Sequence, residues 1–148
     1  MNREQVIKIL RNSLNFPDES IKKLDIFEKL LLKFNKKYNL IAKSTEKIIW
    51  DRHFLDSAQI LKHLDYKNIS SVADFGTGAG FPGIVLAIFS TNYKFHVKLY
   101  EKSSVKREFL NQVNELLKLK CIIKENVYSS IIDDRIIVCR AFKKLDEI

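Results

Sequence analysis

Residues 74–83 have the sequence Asp-Phe-Gly-Thr-Gly-Ala-Gly-Phe-Pro-Gly and hold all four glycines of a 148-residue chain. An average chain of this length would carry about ten glycines, at roughly 7% usage. Glycine permits backbone conformations and close approaches that a Cβ forbids, so backbone geometry matters most in this stretch. The apolar run at 71–75 predicts a buried strand before the loop, and residues 81–89 predict a helix after it.

Downstream of the loop, predicted strands alternate with helices. Residues 95–100, 121–123 and 135–139 are short and apolar, which is typical of strands. Residues 103–118 place apolar side chains on one face of a helix. Strands that alternate with helices indicate parallel βαβ units, the pattern of a Rossmann-like α/β fold.

The first part of the chain is predicted to be helical. Apolar residues recur every three or four positions after a candidate cap at Asn2 and again after a break at Pro17. A third helix is predicted from Ser44 or Thr45 to Leu64.

Together the two patterns predict one domain over residues 1–148, because a chain of this length can close one hydrophobic core. Residues 1–66 form its helical N-terminal segment, and residues 67–148 form its Rossmann-like part.

The composition excludes several classes of protein. Hydrophobic residues make up 46% of the chain, which argues against disorder, and two cysteines are too few for a disulfide framework. No segment resembles a secretory signal, so a cytoplasmic location is expected. The uncharged run at 75–93 has a short apolar core, whereas a membrane span needs roughly 20 apolar residues. The three histidines are scattered without metal-ligand spacing, and no metal is predicted.

The chain is basic, with 26 Lys and Arg against 18 Asp and Glu and a formal net charge of +8. A basic surface favours a polyanionic partner such as a nucleic acid. No block of like charge stands out, so a Lys-rich composition without a partner is an equally good explanation of the charge alone.

Two classes of ligand bind a glycine loop between a strand and a helix: dinucleotides and S-adenosylmethionine. Gly78, Gly80 and Gly83 match the dinucleotide pattern G-x-G-x-x-G, but Gly76 closes the predicted strand. Asp74 would repel a pyrophosphate, whereas it suits a ligand with an amino group and a sulfonium. The G-x-G-x-G spacing of Gly76, Gly78 and Gly80, together with the acidic residue before it, therefore favours S-adenosylmethionine.

A second carboxylate supports a nucleoside ligand of either class. Glu101 ends the second predicted strand, 25 residues after Gly76. A carboxylate at that place can accept hydrogen bonds from both ribose hydroxyls. The alternative is a solvated residue beside a helix N-cap.

Several motifs in register along the chain resemble one family. They are the loop at 76–83, Tyr-Asn-Leu at 38–40, Arg-His-Phe-Leu-Asp-Ser at 52–57, Lys-Arg-x-Phe-Leu at 106–110 and Arg-Ala-Phe at 140–142. Over nearly the whole chain this order is similar to the RsmG family, also called glucose-inhibited division protein B. The resemblance implies an S-adenosylmethionine-dependent methyltransferase that modifies N7 of a guanine in 16S, small-subunit ribosomal RNA.

A set of cofactor-binding residues follows from the loop and the resemblance. They are Asp74, Gly76, Gly78, Gly80, Phe81, Glu101, Val127, Tyr128 and Arg140. The resemblance places Val127 and Tyr128 beside the adenine. Family members often carry Arg-Val-Glu where this chain has Asn-Val-Tyr at 126–128, so an acidic side chain cannot contribute contacts there. A surface cation at a strand end is the alternative for Arg140.

Methyl transfer to guanine N7 requires no general base, because N7 has a free lone pair and no proton to remove. No catalytic residue is therefore predicted, and Arg52, His53 and Asp56 are candidates for positioning. His53 could act through Asp56 or Ser57 on the same helical face. These residues could equally hold the helical segment against the sheet.

The two cysteines are predicted to be buried strand residues rather than nucleophiles. Cys121 and Cys139 follow Lys120 and Val138, whereas a nucleophilic cysteine of a cytosine methylase commonly follows proline.

Small-subunit ribosomal RNA, or the 30S particle that contains it, is the expected partner. The candidates for phosphate contacts are Lys36, Lys37, Lys43 and Arg52. Tyr38 or Phe81 could stack on a base. Each lysine taken alone is more typical of a solvated surface.

The chain ends at Ile148, whereas the family fold continues through further strands. We therefore expect an incomplete sheet of order 3-2-1-4, with the apolar residues 136–138 on an edge. Such an edge favours weak stability or dimerisation through the fourth strand. A non-catalytic remnant that binds S-adenosylmethionine or RNA, and a dinucleotide-binding oxidoreductase, are the alternative functions.

Overall fold

A computed structural model describes residues 1–127 and 136–140 of the protein. Within these residues the strands are β1 (Ser71–Phe75), β2 (His96–Tyr100), β3 (Cys121–Lys124) and β4 (Ile136–Cys139). They form one parallel sheet in the order β3-β2-β1-β4. The predicted α/β fold and the predicted strand order are confirmed.

Helices precede the sheet and connect its strands. The long ones are α1 (Arg3–Asn12), α2 (Asp18–Asn35), α4 (Gly83–Ser90) and α5 (Ser104–Leu116). α1 begins with a capping box, in which the Asn2 side chain accepts a hydrogen bond from the Gln5 amide and the Gln5 side chain accepts one from the Asn2 amide. The predicted cap at Asn2 is confirmed.

The third predicted helix is wrong as a single element. The chain instead forms a 3₁₀ turn (Lys43–Ile48), a π-helical turn (Trp50–Leu55), the short α3 (Asp56–Ala58) and a second 3₁₀ turn (Gln59–His63). A π turn brings residues five apart into line. Ile49 and Phe54 can then both enter the core, and both are buried.

The core on one face of the sheet joins the helical segment to the Rossmann-like part. Phe27 of α2 is fully buried at its centre. The ring centroid of Phe27 lies 5.5 Å from those of Phe54 and Phe81 and 6.2 Å from that of Phe109. One aromatic residue therefore links α2, the π turn, the glycine loop and α5.

The other face of the sheet carries a smaller cluster of buried residues. Ala73, Phe75 and Tyr100 form it, and Val127 packs against them. Ile137 of β4 pairs in register with Ala73 and is 45% exposed. Pairing of two copies through the β4 edge stays a prediction.

The two cysteines differ in their surroundings. Cys121 is partly buried, and desolvation raises the pKa of its thiol to about 12, so the thiol stays protonated. Cys139 is exposed, and its predicted burial is wrong. Cys139 ends a strand that lies at the edge of the described sheet, on the same strand face as the exposed Ile137.

Two findings concern the described residues as a group. None of their helices combines the length and the apolar composition that a membrane crossing requires. No group of three or more His, Cys, Asp or Glu side chains among them is placed to hold a metal ion.

The division into a helical segment and a Rossmann-like part of one domain stays a prediction, and Phe27 offers a test of it. We expect Phe27→Ala to lower the free energy of unfolding by about 3–5 kcal/mol, because the ring is fully buried. Urea unfolding should show one transition by both circular dichroism and fluorescence. The control is Ile26→Ala, since Ile26 is 40% exposed on the same helix and should cost less than about 1 kcal/mol. Two separate transitions would contradict a single domain.

Candidate functional site

The candidate site lies at the carboxyl edge of the sheet. Phe75 pairs in register with Tyr100 on β2 and with Cys139 on β4. Each is the last residue of its strand, so Gly76, Glu101 and Arg140 follow at the same edge. The tertiary structure thus brings together three of the predicted cofactor-binding residues from three separate strands.

The loop after β1 has a backbone that only glycine adopts easily. Gly76, Gly78 and Gly80 have φ values of 65°, 59° and 101°. A Cβ at Gly78 would meet no atom within 4 Å, so the space beside this residue is open to a ligand. A Cβ at Gly83 would instead overlap the Leu99 side chain and the Asp74 carboxylate, so Gly83 is needed for packing.

Asp74 ties the strand, the loop and the following helix together. It is fully buried, and its Oδ2 accepts hydrogen bonds from Thr77 Oγ1 at 2.6 Å and from the Gly83 amide at 2.8 Å. Burial raises the pKa of the Asp74 carboxyl to about 7, although both hydrogen bonds act in the opposite direction. Its Oδ1 is buried and has no hydrogen-bond partner within residues 1–127 and 136–140.

Glu101 clamps the loop from the neighbouring strand. Its Oε1 accepts a hydrogen bond from the Gly78 amide at 3.0 Å, and its Oε2 accepts one from the Ser103 amide at 2.8 Å. Each carboxylate oxygen has a second lone pair, so the Glu101 side chain can still accept hydrogen bonds from ribose hydroxyls. Its half-buried position beside the loop is compatible with the predicted role.

Three residues that support this clamp were not selected from the sequence. Thr77 donates to Asp74, the Ser103 amide donates to Glu101, and the Arg107 guanidinium donates to the Glu101 carbonyl at 2.9 Å. The sequence held signals for two of them. Ser103 caps α5, and Arg107 lies in the Lys-Arg-x-Phe-Leu motif at 106–110. Their roles depend on contacts that spacing alone does not specify.

Phe81 belongs to the core rather than to the surface. Its ring is 7% exposed and stacks on His53 with 4.8 Å between centroids. The interpretation that Phe81 stacks on an RNA base is therefore wrong. Its main chain still belongs to the glycine loop, directly before the cis Phe81–Pro82 peptide bond.

His53 contacts a partner other than the two that its helical position predicted. Its Nε2 lies 2.9 Å from Thr45 Oγ1, and Asp56 lies 3.7 Å from Arg52 instead. Expectations based on α-helical spacing fail here because the segment is a π turn. Burial, together with the positive charges of Arg140 and Arg52, lowers the pKa of His53 to about 4. The imidazole is neutral near pH 7.

A small cavity of about 170 Å³ separates the helical segment from the end of β4. Asp56 and Ser57 form one side of its lining, and Pro82 and Arg140 form another. Ser57 is 2% exposed, and its buried Oγ has no hydrogen-bond partner in the described part of the chain. Two predicted residues, Asp56 and Arg140, thus meet at one place beside the glycine loop.

The surroundings of the other predicted residues differ from one to the next. Val127 packs against the second face of the sheet, and Tyr128 lies outside the described residues. Lys36 and Lys43 are exposed. Lys37 and Tyr38 line a cavity of about 470 Å³ that also contacts the start of α5.

Comparison with known proteins shows the family to which the chain belongs. A family model described as rRNA small subunit methyltransferase G (GidB) matches residues 20–148. The chain belongs to this family. A protein named ribosomal RNA small subunit methyltransferase G from Rickettsia felis is 41% identical over 136 residues, which are 91% of this chain and 69% of that protein. A protein of the same name from Pelagibacter ubique is 39% identical over 151 residues, covering 96% of this chain and 70% of that protein.

The predicted family is confirmed, and so is the predicted methyl donor, since methyltransferases of this family use S-adenosylmethionine. The residues present fit that molecule. Gly78 has open space beside it, Asp74 has a buried acceptor without a partner among the described residues, and Glu101 lies across the loop. The dinucleotide pattern fits less well, because the first positive φ of the loop is at Gly76 and not at Gly78.

Asp74 variants test the two hydrogen bonds by which this carboxylate holds the glycine loop. We expect Asp74→Ala to lower the free energy of unfolding by about 1–3 kcal/mol, because the Thr77 hydroxyl and the Gly83 amide lose a buried acceptor. Asp74→Asn keeps one carbonyl oxygen and should be less destabilised. Urea unfolding at a series of pH values is the measurement.

The same variants test the raised pKa of Asp74. The folded protein binds more protons than the unfolded chain between pH 3.8 and about 7, so Asp74 makes the free energy of unfolding fall as pH rises through that window. Both variants should lack this component. Equal pH slopes in the wild type and in Asp74→Asn would contradict the assignment.

His53 should titrate at about pH 4 when its ring protons are followed by NMR. Its folded pKa lies below the ordinary histidine value of 6.5, so its contribution to stability is lost as pH falls from 6.5 toward 4. Arg140→Gln removes one repelling charge and should raise the midpoint, whereas Lys8→Gln, on the exposed face of α1, should not. A midpoint near 6.5 in the wild type would contradict the buried position of the ring.

Proposed function

We propose that this protein transfers a methyl group from S-adenosylmethionine to N7 of a guanine in small-subunit ribosomal RNA. The observation that carries the proposal is the glycine loop clamped between two carboxylates at the carboxyl edge of the sheet. Asp74 holds the loop from β1 and Glu101 holds it from β2. Membership of the rRNA small subunit methyltransferase G family supports the RNA substrate.

Each cofactor-binding residue is assigned to a different part of S-adenosylmethionine. Glu101 accepts hydrogen bonds from the ribose hydroxyls. The main chain at Gly78 lies against the nucleoside, because glycine has no side chain to fill the open space there. The buried Asp74 carboxylate lies toward the cationic end of the ligand. Val127 contributes an apolar contact for the adenine, and Arg140 borders the site at the end of β4.

Chemistry at N7 places modest demands on the protein. S-adenosylmethionine supplies an electrophilic methyl group on a sulfonium. Guanine N7 would attack the methyl carbon with its lone pair while the carbon–sulfur bond breaks, and the sulfur would leave as a neutral thioether. No proton is released, so the residues of the chain need only align the two reactants and exclude water. The neutral His53 and the ion pair of Arg52 with Asp56 then act in positioning, since no proton acceptor is required.

The cavity between Ser57 and Arg140 is the place we assign to the target base. It lies beside Pro82 at the end of the glycine loop, so a base there is next to the cofactor site. The Ser57 hydroxyl, which has no hydrogen-bond partner in residues 1–127 and 136–140, supplies a polar group to a base edge. Asp56 and Arg140 supply an acceptor and a donor at the rim.

The phosphate backbone of the RNA is proposed to contact four basic residues of the helical N-terminal segment. They are Lys36, Lys37, Lys43 and Arg52. Tyr38 is partly exposed beside Lys37, whose amino nitrogen lies 5.4 Å from the ring centroid, and can stack on a base. Binding through such contacts weakens steeply as salt is raised.

The test of this function combines calorimetry with an RNA methylation assay. We expect S-adenosylmethionine, and not NAD, to bind the full chain in titration calorimetry. Labelled methyl groups should enter small-subunit rRNA or assembled small subunits, and base-specific cleavage should locate N7-methylguanine. Binding of S-adenosylmethionine without any methyl transfer would support a non-catalytic protein and contradict the proposal.

Glu101→Gln tests the ribose contact. We expect S-adenosylmethionine to bind about 10–100-fold more weakly, since hydrogen bonds to a charged group contribute about 1.5–3 kcal/mol. Glu115→Gln is the matched control, because Glu115 is exposed near the far end of α5. Circular dichroism should show that both variants are folded. Equal affinities for the two variants would remove Glu101 from the cofactor site.

A further inference from the structure

A cavity lined by lysines lies at the opposite, amino edge of the sheet. It has a volume of about 470 Å³ and is formed by the end of α4, the segment that leads into β2 and the turn between α5 and β3. Its charged lining consists of Lys23, Lys94, Lys118 and Lys120, with His96 beside them, and includes no acidic residue of the described chain. None of the four lysines forms an ion pair with a carboxylate within the described residues.

This cavity is separate from the cofactor site. His96 opens β2, and Lys120 directly precedes β3, whereas the glycine loop and Glu101 follow the other ends of the strands. A strand of five residues spans about 16 Å. A chemical group held in this cavity is therefore too far away to touch the reacting groups.

Two helices end at the cavity, and their dipoles account for only part of its charge. α4 ends at Ser90 and α5 ends at Leu116. The carboxyl end of a helix carries roughly half a negative elementary charge, so two such ends offset about one of four positive charges. About three positive charges remain without compensation on the described surface.

The other lining groups are suited to a polymer rather than to a small phosphate compound. The Ser90 hydroxyl donates to the Ala87 carbonyl and the Thr91 hydroxyl donates to the Ile88 carbonyl, so neither proton is directed at an anion. Helix carbonyl ends also repel an anion held close to the backbone. Long lysine side chains, of which Lys94, Lys118 and Lys120 are exposed, can instead reach phosphates spaced along a chain.

We propose that this cavity binds backbone phosphates of the ribosomal RNA substrate at a place remote from the target guanine. The proposal rests on the proposed function, because it names a second contact of the same RNA. Its role is affinity and orientation, since phosphate contacts place a protein on nucleic acid and base contacts select the site.

The test uses two triple variants that remove the same number of charges. Lys94, Lys118 and Lys120 are changed to Gln in the first variant. Lys8, Lys47 and Lys62 are changed to Gln in the control, because all three are exposed and none of them lines the cavity. RNA affinity is measured by filter binding to a small-subunit rRNA transcript between 50 and 200 mM salt, roughly the range over which phosphate contacts dominate. S-adenosylmethionine affinity and the melting temperature are measured alongside.

We expect the first variant to bind RNA at least about tenfold more weakly at the higher salt concentration. The slope of log affinity against log salt should fall by about 2–3, at roughly 0.7–0.9 for each phosphate that the lysines no longer neutralise. S-adenosylmethionine should bind both variants as it binds the wild type. RNA affinity of the control should fall by no more than about threefold.

Four results would overturn the inference. Equal decreases in RNA affinity in the two variants would indicate a general effect of net charge. A lower melting temperature of the first variant with unchanged RNA affinity would indicate that the lysines stabilise the carboxyl ends of the helices instead of binding RNA. If the wild type methylates the RNA and the first variant binds it equally well, this inference fails and the proposed function stands. If the wild type neither binds nor methylates the RNA, both fail.

Discussion

The buried carboxylate of Asp74 is the interaction that maintains the shape of the whole site. One of its oxygens accepts hydrogen bonds from Thr77 and from the Gly83 amide, so it joins the end of β1 to both ends of the glycine loop. A charged group at this depth is costly, and the raised pKa records that cost. The carboxylate holds the loop in a shape that its own glycines would not maintain, because glycine has the greatest freedom in the unfolded chain.

The helical segment completes the site from the other side. Phe27 connects it to the loop through Phe81, and Phe81 in turn stacks on His53. The ring stack places the π turn against the loop, and the cavity lined by Ser57 and Arg140 lies at this junction. Packing in the core therefore sets where a target base could lie relative to the loop, although none of these aromatic residues lines the cavity.

Two groups of charged residues lie at opposite edges of one sheet. The carboxylates Asp74 and Glu101 lie at the carboxyl edge, where helix amino ends carry partial positive charge. The lysine cluster lies at the amino edge, where helices end. A parallel sheet with its connecting helices produces this polarity by itself, because α4 and α5 both run back from the carboxyl edge to the amino edge. An RNA long enough to reach both edges would contact the protein over much more than its active cavity.

The strands and the position of the loop could be predicted from the residues alone, because glycine clustering and apolar runs reflect local backbone requirements. The family and the order of the strands followed instead from the resemblance of several motifs. Asp74 and Glu101 were predictable for the same reason, since each lies where a strand ends. The pairing of His53 with Thr45, the burial of Phe81 and the exposure of Cys139 emerged in three dimensions only. These outcomes depend on a π turn and on the neighbours of an edge strand. Both arise from packing between segments distant in sequence, which no local pattern of residues records.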